Sequence, residues 1–228
     1  MDIERFHIEL QIAVDKRDNS SVPELPPEVM DYFLNEAQDR FIKTRYGKNN
    51  IYKAGFEEIQ KRTDDLKALV VTDTVTTSVV STEENTERVD LDSLDNDYMF
   101  YIRSRAEILK DGCDAKYVGV KFIQQDDLNR VLDDPFNKPK YGWPVVYFED
   151  RDIFVISDNT YTVPRVKLTY IKRPAQMKNA YVSDATLVEC ELSEYTHKEI
   201  VQLAADIILE NIESQRFQSI KQQLTSIE

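Results

Sequence analysis

Cysteine, glycine and histidine are scarce in this chain: two, five and two among 228 residues. Cys113 and Cys190 cannot form a disulfide framework, so a reducing site of synthesis and partly buried free thiols are expected. There is no Cys-x-x-Cys pair, and His7 and His197 lack ligand spacing, which removes the usual zinc signatures. With so few glycines there is no phosphate-cradling loop, and no serine sits in a Gly-x-Ser-x-Gly elbow. No apolar run approaches the roughly 18–20 residues of a membrane span. Residues 1–5 are polar and acidic, unlike a secretory leader. These absences point away from catalysis, cofactors, resident metals and membranes, and toward a chain made in the cytoplasm.

What is present is acidity and a sizeable apolar fraction. The net charge is −13 and 41% of residues are hydrophobic, 10% aromatic. That fraction supports a packed core in one or two domains. The acidity opposes tight, non-specific binding to nucleic acid or lipid phosphate. It is compatible with a surface that DNA slides past.

Helices are expected at both ends. Residues 3–14 fit two periods: Phe6, Ile8, Leu10, Ile12 and Val14 alternate, while Ile3, Phe6, Leu10 and Val14 share a helical face. The helical reading is adopted. Residues 26–46 open on Pro26-Pro27 and carry an apolar stripe of Val29, Met30, Phe33, Leu34, Ala37, Phe41 and Ile42. Acids early and bases late suit the helix dipole, and Gly47 is read as the stop. Residues 51–69 place Phe56, Ile59, Leu66 and Leu69 on one face. The last helix, 193–224, has Ser193 as its expected N-cap and buries Ile200, Leu203, Ala204, Ile207, Ile208 and Ile212. If continuous from 194 it spans about 45 Å at 1.5 Å per residue, so its final turns, with Phe217, Ile220 and Leu224, are expected to project or to bend near Ser214-Gln215.

Residues 70–182 read mostly as strands: 70–80, 98–109, 116–124, 145–148, 153–157 and 161–171, with a short helix at 126–132. Turn signals at 150–152 and 157–159 predict two antiparallel hairpins. The loop 133–144 is bracketed by prolines and carries Phe136, Tyr141 and Trp143. It reads equally as a loop tip folded over the core or as a docking hook. The acidic run 83–97 is the one candidate for holding Mg²⁺ or Ca²⁺. It lacks the glycine of an EF-hand loop, and nuclease carboxylates normally come from separate rigid elements. A solvated loop is the expectation, with a channel or a neighbouring subunit as what it could face.

The fold class that follows is α+β: a helical bundle from 1–69 and 190–228, with an antiparallel β-rich insertion at 70–189. Four segments in this order resemble structural proteins of crAss-like bacteriophages. They are 25–43, opening Leu25-Pro26-Pro27-Glu28; 55–70, opening Gly55-Phe56-Glu57-Glu58; Asp134-Pro135-Phe136-Asn137-Lys138-Pro139 with 168–174; and 190–205, opening Cys190-Glu191-Leu192-Ser193. The resemblance implies a head-to-tail connector, similar to the tail tubular adaptor of short-tailed phages. It further implies a virion protein at the neck, a dodecameric ring beneath the portal, a next tail or ring protein as neighbour, and double-stranded DNA passing through without specific binding. In that setting Arg216, Phe217, Ile220 and Leu224 are expected at the portal or an adjacent subunit, and Phe136, Tyr141 and Trp143 on the tail side. Another virion structural role, a host-directed binding protein and a metal-dependent DNA-processing enzyme are the other readings.

Overall fold

A computed structural model describes residues 1–17, 25–47, 56, 59–81, 85–179 and 186–211. In chain order the elements are α1 (Ile3–Arg17), α2 (Pro27–Tyr46), α3 (Gln60–Leu66), β1 (Val70–Thr76), β2 (Ser78–Val79), β3 (Thr86–Asp90), β4 (Tyr98–Leu109), β5 (Lys116–Gly119), β6 (Lys121–Phe122), α4 (Leu128–Asp133), β7 (Val145–Glu149), β8 (Asp152–Ile156), β9 (Thr162–Lys172) and α5 (His197–Asn211). They form two compact units, 1–69 with 174–228, and 70–173. The architecture is α+β, helical at both ends and β-rich between.

In the helical unit α5 packs against both α1 and α2. The helical period decides α1: Ile3, Phe6, Leu10 and Val14 are buried, while Ile8 and Ile12 are 60% and 57% exposed. From α2 the core receives Met30, Leu34, Ala37, Phe41 and Ile42; from α5, Ile200, Ala204 and Ile208. Burying a side chain such as Phe6 or Leu34 contributes about 1.5–3 kcal/mol. Leu203 and Ile207 of the expected stripe are only half-buried, and Val201, Ala205 and Leu209 are buried beside it.

Gly47 is the expected stop of α2, and Ser193 is not the side-chain cap expected of it. Gly47 ends α2 at φ −73°, in ordinary territory, with its N–H closing the last turn on Lys43 O at 2.9 Å. Ser193 makes no side-chain cap; a 3₁₀ turn, Glu194–Thr196, intervenes, and Thr196 donates to the Ser193 carbonyl through both N–H and hydroxyl. The third helix is described as α3 and a 3₁₀ turn, Lys67–Leu69; most of 51–59 and all of 212–224 lie outside the described residues.

A buried polar network fastens the segment that returns from the β unit. Asn179 Nδ2 donates to His7 Nδ1 at 3.3 Å, which leaves the proton on Nε2 for Asp31 Oδ1 at 2.7 Å. Asp31 Oδ2 accepts from the Asn179 N–H at 3.0 Å. Asn35 reads the Met177 backbone twice, donating to its carbonyl and accepting from its N–H. These bonds hold Met177 and Asn179 in the helical unit, so its second segment begins at Pro174 rather than at the expected 190.

The β unit is two facing sheets. One has the order β1-β9-β4-β5, all antiparallel; the other has β2-β3-β8-β7-β6, where only β6 and β7 run parallel. The chain changes sheet between β1 and β2 and between β5 and β6, so two expected strands, 70–80 and 116–124, are each split. At the first crossing Thr77 donates its N–H to Pro164 O at 3.1 Å and its hydroxyl to Val163 O. Val75, Ala106, Ile108, Val166 and Leu168 from one sheet meet Val89, Val146, Ile153 and Val155 from the other.

The hairpin expected at 150–152 is present, with Asp150 at φ +53° and β7 paired to β8. The one expected at 157–159 is not a hairpin. Asn159 is left-handed at φ +64° and Thr160 bonds to Asp158 Oδ1, and the chain leaves β8 for β9 in the opposite sheet. On β7 and β8 the residues alternate between two cores. Val146 and Val155 enter the sandwich; Val145, Tyr147 and Ile156 face Val131 on α4.

The acidic run also departs from expectation. Residues 86–90 are strand β3, paired to β8, rather than solvated loop. Glu87 points inward, accepting the Val163 N–H through Oε1 at 3.1 Å while Oε2 has no hydrogen-bond partner. Burial pushes its carboxyl above the usual range. Protonation therefore stabilises the fold, and stability falls as pH rises from about 4.5 through the raised value. Glu87→Gln keeps the Val163 acceptor and removes the buried charge. It is expected to lose this pH slope and, at neutral pH, to gain about 1 kcal/mol. Thermal melts of both proteins between pH 4.5 and 7.5 check this; parallel curves would refute it.

Candidate interaction site

The tip of the β unit, the loop 134–143, is closed by hydrogen bonds within itself. Asp134 organises its start, accepting from the Phe136 N–H at 2.9 Å and from Asn137 Nδ2 at 2.5 Å. The Asn137 amide, followed by the Phe136 N–H, holds the Asp134 carboxyl below its usual range. Lys121 Nζ reaches Asn137 Oδ1 at 2.8 Å. The far side is a tight turn, Lys140 to Trp143, closed by the Trp143 N–H on Lys140 O at 2.8 Å. Gly142 sits at φ +81°, where a side chain would be strained.

This loop is tied to the sandwich by tyrosines. Tyr161 is buried at the end of the β8–β9 crossing, donates its hydroxyl to Lys140 O at 3.2 Å, and meets the Tyr141 ring edge-on at 5.7 Å. The ammonium groups of Lys110 and Lys116 lie 4.9 and 5.0 Å from the Tyr141 ring centre, each worth about 0.5–1 kcal/mol at an exposed site. Tyr141 is thus the clamp of the tip. Phe136 and Trp143 are its free surface, 87% and 70% exposed. Anchored on both flanks, they are displayed at little further entropic cost.

Arg216, Phe217, Ile220 and Leu224 lie outside the described residues. Among the described residues no group of three His, Cys, Asp or Glu side chains is placed to hold a metal ion, and no helix is long and apolar enough to cross a membrane. Within the run 83–97, Asp90 is occupied in capping a 3₁₀ turn, accepting from the Asp92 N–H at 2.8 Å. His197 is buried against Phe6, its Nε2 on Leu192 O at 2.9 Å; burial holds the imidazole below its usual range. Both cysteines are free, and burial pushes the Cys190 thiol up to about 11.

A second feature has no counterpart in the sequence expectations. Alongside α2 runs an open cleft of about 490 Å³, lined by Glu28, Tyr32, Glu36 and Asp39 on the helix and by residues 176–179 opposite. Tyr32 is 65% exposed. Glu28, Tyr32, Glu36 and Asp39 follow the i, i+4, i+8, i+11 spacing of one helical face. That spacing is readable in the sequence; the opposite wall is not, because it comes from the segment Asn35 and Asp31 fasten.

A sequence profile described as phage tail ring protein 3/4 matches residues 1–219. The chain belongs to this family of crAss-like phage ring proteins. It is 24% identical over 223 residues to ring protein 4/5 of Bacteroides phage crAss001, covering 91% of this chain and 92% of that protein. To ring protein 3 of the same phage it is 28% identical over 189 residues, covering 78% and 81%. The ring family thus runs through both units, and the hydrogen-bonded aromatic tip and the α2 cleft are features of a ring-family chain.

Proposed function

We propose that this chain is a virion structural subunit that joins head to tail as one ring of the connector, working by assembly rather than turnover. The observation that carries the reading is the family match, which spans both the helical and the β unit. In this reading about twelve copies close a ring, the portal lies on one side and another ring or tail protein on the other. The net charge of −13 suits a wall past which DNA moves without being held. Residues 214–228 contact the portal or an adjacent subunit through Arg216, Phe217, Ile220 and Leu224, and Phe136 and Trp143 on the β unit are free to make a protein contact of their own.

Quantitative mass spectrometry of purified virions tests this reading. Copy number close to that of the portal is the expected result; absence from particles overturns it. A chain ending at 213 is expected to fold and yet fail to join particles, which the same measurement reads. Normal incorporation of that truncation would remove the C-terminal contact from the reading.

A further inference from the structure

A ring of identical subunits closes through a heterologous contact, in which two different patches on each copy are complementary. The described residues present two such patches. The convex one is the β-unit tip, where Phe136 and Trp143 stand exposed around Lys138 and Lys140 and the segment 136–143 contains no acid. Lys110 and Lys116 lie beside it over Tyr141. The concave one is the α2 cleft, where Glu28, Glu36 and Asp39 flank the exposed ring of Tyr32, with Lys178 the one cation among its lining residues.

From this complementarity we propose that the tip of one copy docks in the α2 cleft of a second copy, and that this is a subunit contact of the ring. The inference rests on the ring reading above. Phe136 and Trp143 supply the aromatic anchors on which such interfaces concentrate their energy, and Tyr32 offers a ring for them to stack against. Lys138 and Lys140 meet Glu36 and Asp39, which selects this cleft and speeds encounter. The Asp134 carboxylate, turned onto the Phe136 N–H and the Asn137 amide, keeps its negative charge, so Lys138 and Lys140 must outweigh it in the approach.

The test is a full-length chain carrying benzoylphenylalanine in place of Trp143, irradiated over rising protein concentration up to the millimolar range, with linked peptides identified by mass spectrometry. The expected product is a dimer joined between position 143 and the 28–39 segment of another copy. Its yield should fall about tenfold with K138E/K140E, equivalent to about 1.4 kcal/mol. Yield should return when that chain is mixed with a second carrying E36K/D39K. Circular dichroism of each variant confirms folding before irradiation. A crosslink to any other segment, no crosslink, or no rescue by the reversed charges overturns the proposal. Such a failure leaves the virion copy number untouched, so it is separable from a failure of the ring reading.

Discussion

Arg45→Met is expected to destabilise the helical unit by about 3–5 kcal/mol, the usual cost of leaving one member of a buried ion pair alone. Arg45 Nε lies 3.0 Å from Oδ2 of Asp65, a fully buried carboxylate at the α3 position facing α2. Its guanidinium also pairs with Glu199 on α5, and Lys61 joins Glu199 at 3.2 Å. One arginine therefore links three helices. Burial pushes the Asp65 carboxyl up, and Arg45 is the largest influence pulling it back. Methionine keeps most of the side-chain volume over Phe41, where the guanidinium now sits 4.9 Å from the ring centre, so the loss is chiefly electrostatic. A fall in Tm of roughly 10 °C follows for a chain of this size. Adding Asp65→Asn to Arg45→Met should recover much of it by removing the stranded charge. Thermal and urea unfolding followed at 222 nm measure both effects. A melting curve unchanged by Arg45→Met would mean that the ion pair contributes nothing net.

Residues 70–173, expressed alone, are expected to fold into the two-sheet unit. The segment enters on β1 and leaves on β9, and these strands are paired, Val70 opposite Ile171. Its ends therefore lie one strand spacing apart, about 5 Å, the geometry that lets a domain be inserted or excised. Its core is its own: Val75, Ala106, Val155, Val166 and Leu168 pack between the two sheets. The complementary chain, with Leu69 joined to Pro174 by a short glycine–serine bridge, should keep its helices through α1, α2 and α5. The expected results are a cooperative melt and dispersed amide NMR spectrum for the fragment, and undiminished helical dichroism for the remainder. An unfolded fragment would mean that the two units depend on each other for stability.

Much of the helical unit is legible in the sequence because the burial period is local. The spacing of Met30, Leu34, Ala37 and Phe41 specifies which side of α2 faces inward whatever it packs against. The first helix shows the limit of that argument. Ile8 and Ile12 made a strand equally consistent, and only packing against α5 selects Ile3, Phe6, Leu10 and Val14. Strand β3 is not legible locally, because Thr86-Glu87-Arg88-Val89-Asp90 has the composition of a solvated loop; it is a strand because β8 offers it a paired edge. The tip was legible in part. Phe136, Tyr141 and Trp143 stood out by type, but the roles diverge in three dimensions, Tyr141 holding the loop and the other two facing solvent.

Composition and periodicity by themselves determined that this is an acidic α+β chain, helical at its ends and strand-rich between, with none of the familiar catalytic or metal-binding motifs. Those properties follow from side chains acting on neighbours a few residues away. The tertiary structure alone decided that β1 and β2 belong to different sheets, that Glu87 lies inside a sandwich, that Lys110 and Lys116 grip Tyr141, and that Asn35 and Asp31 build the far wall of the α2 cleft. Each of those depends on residues distant in sequence meeting in space, and no local pattern encodes which distant partner a strand edge, a buried carboxylate or an aromatic ring will find.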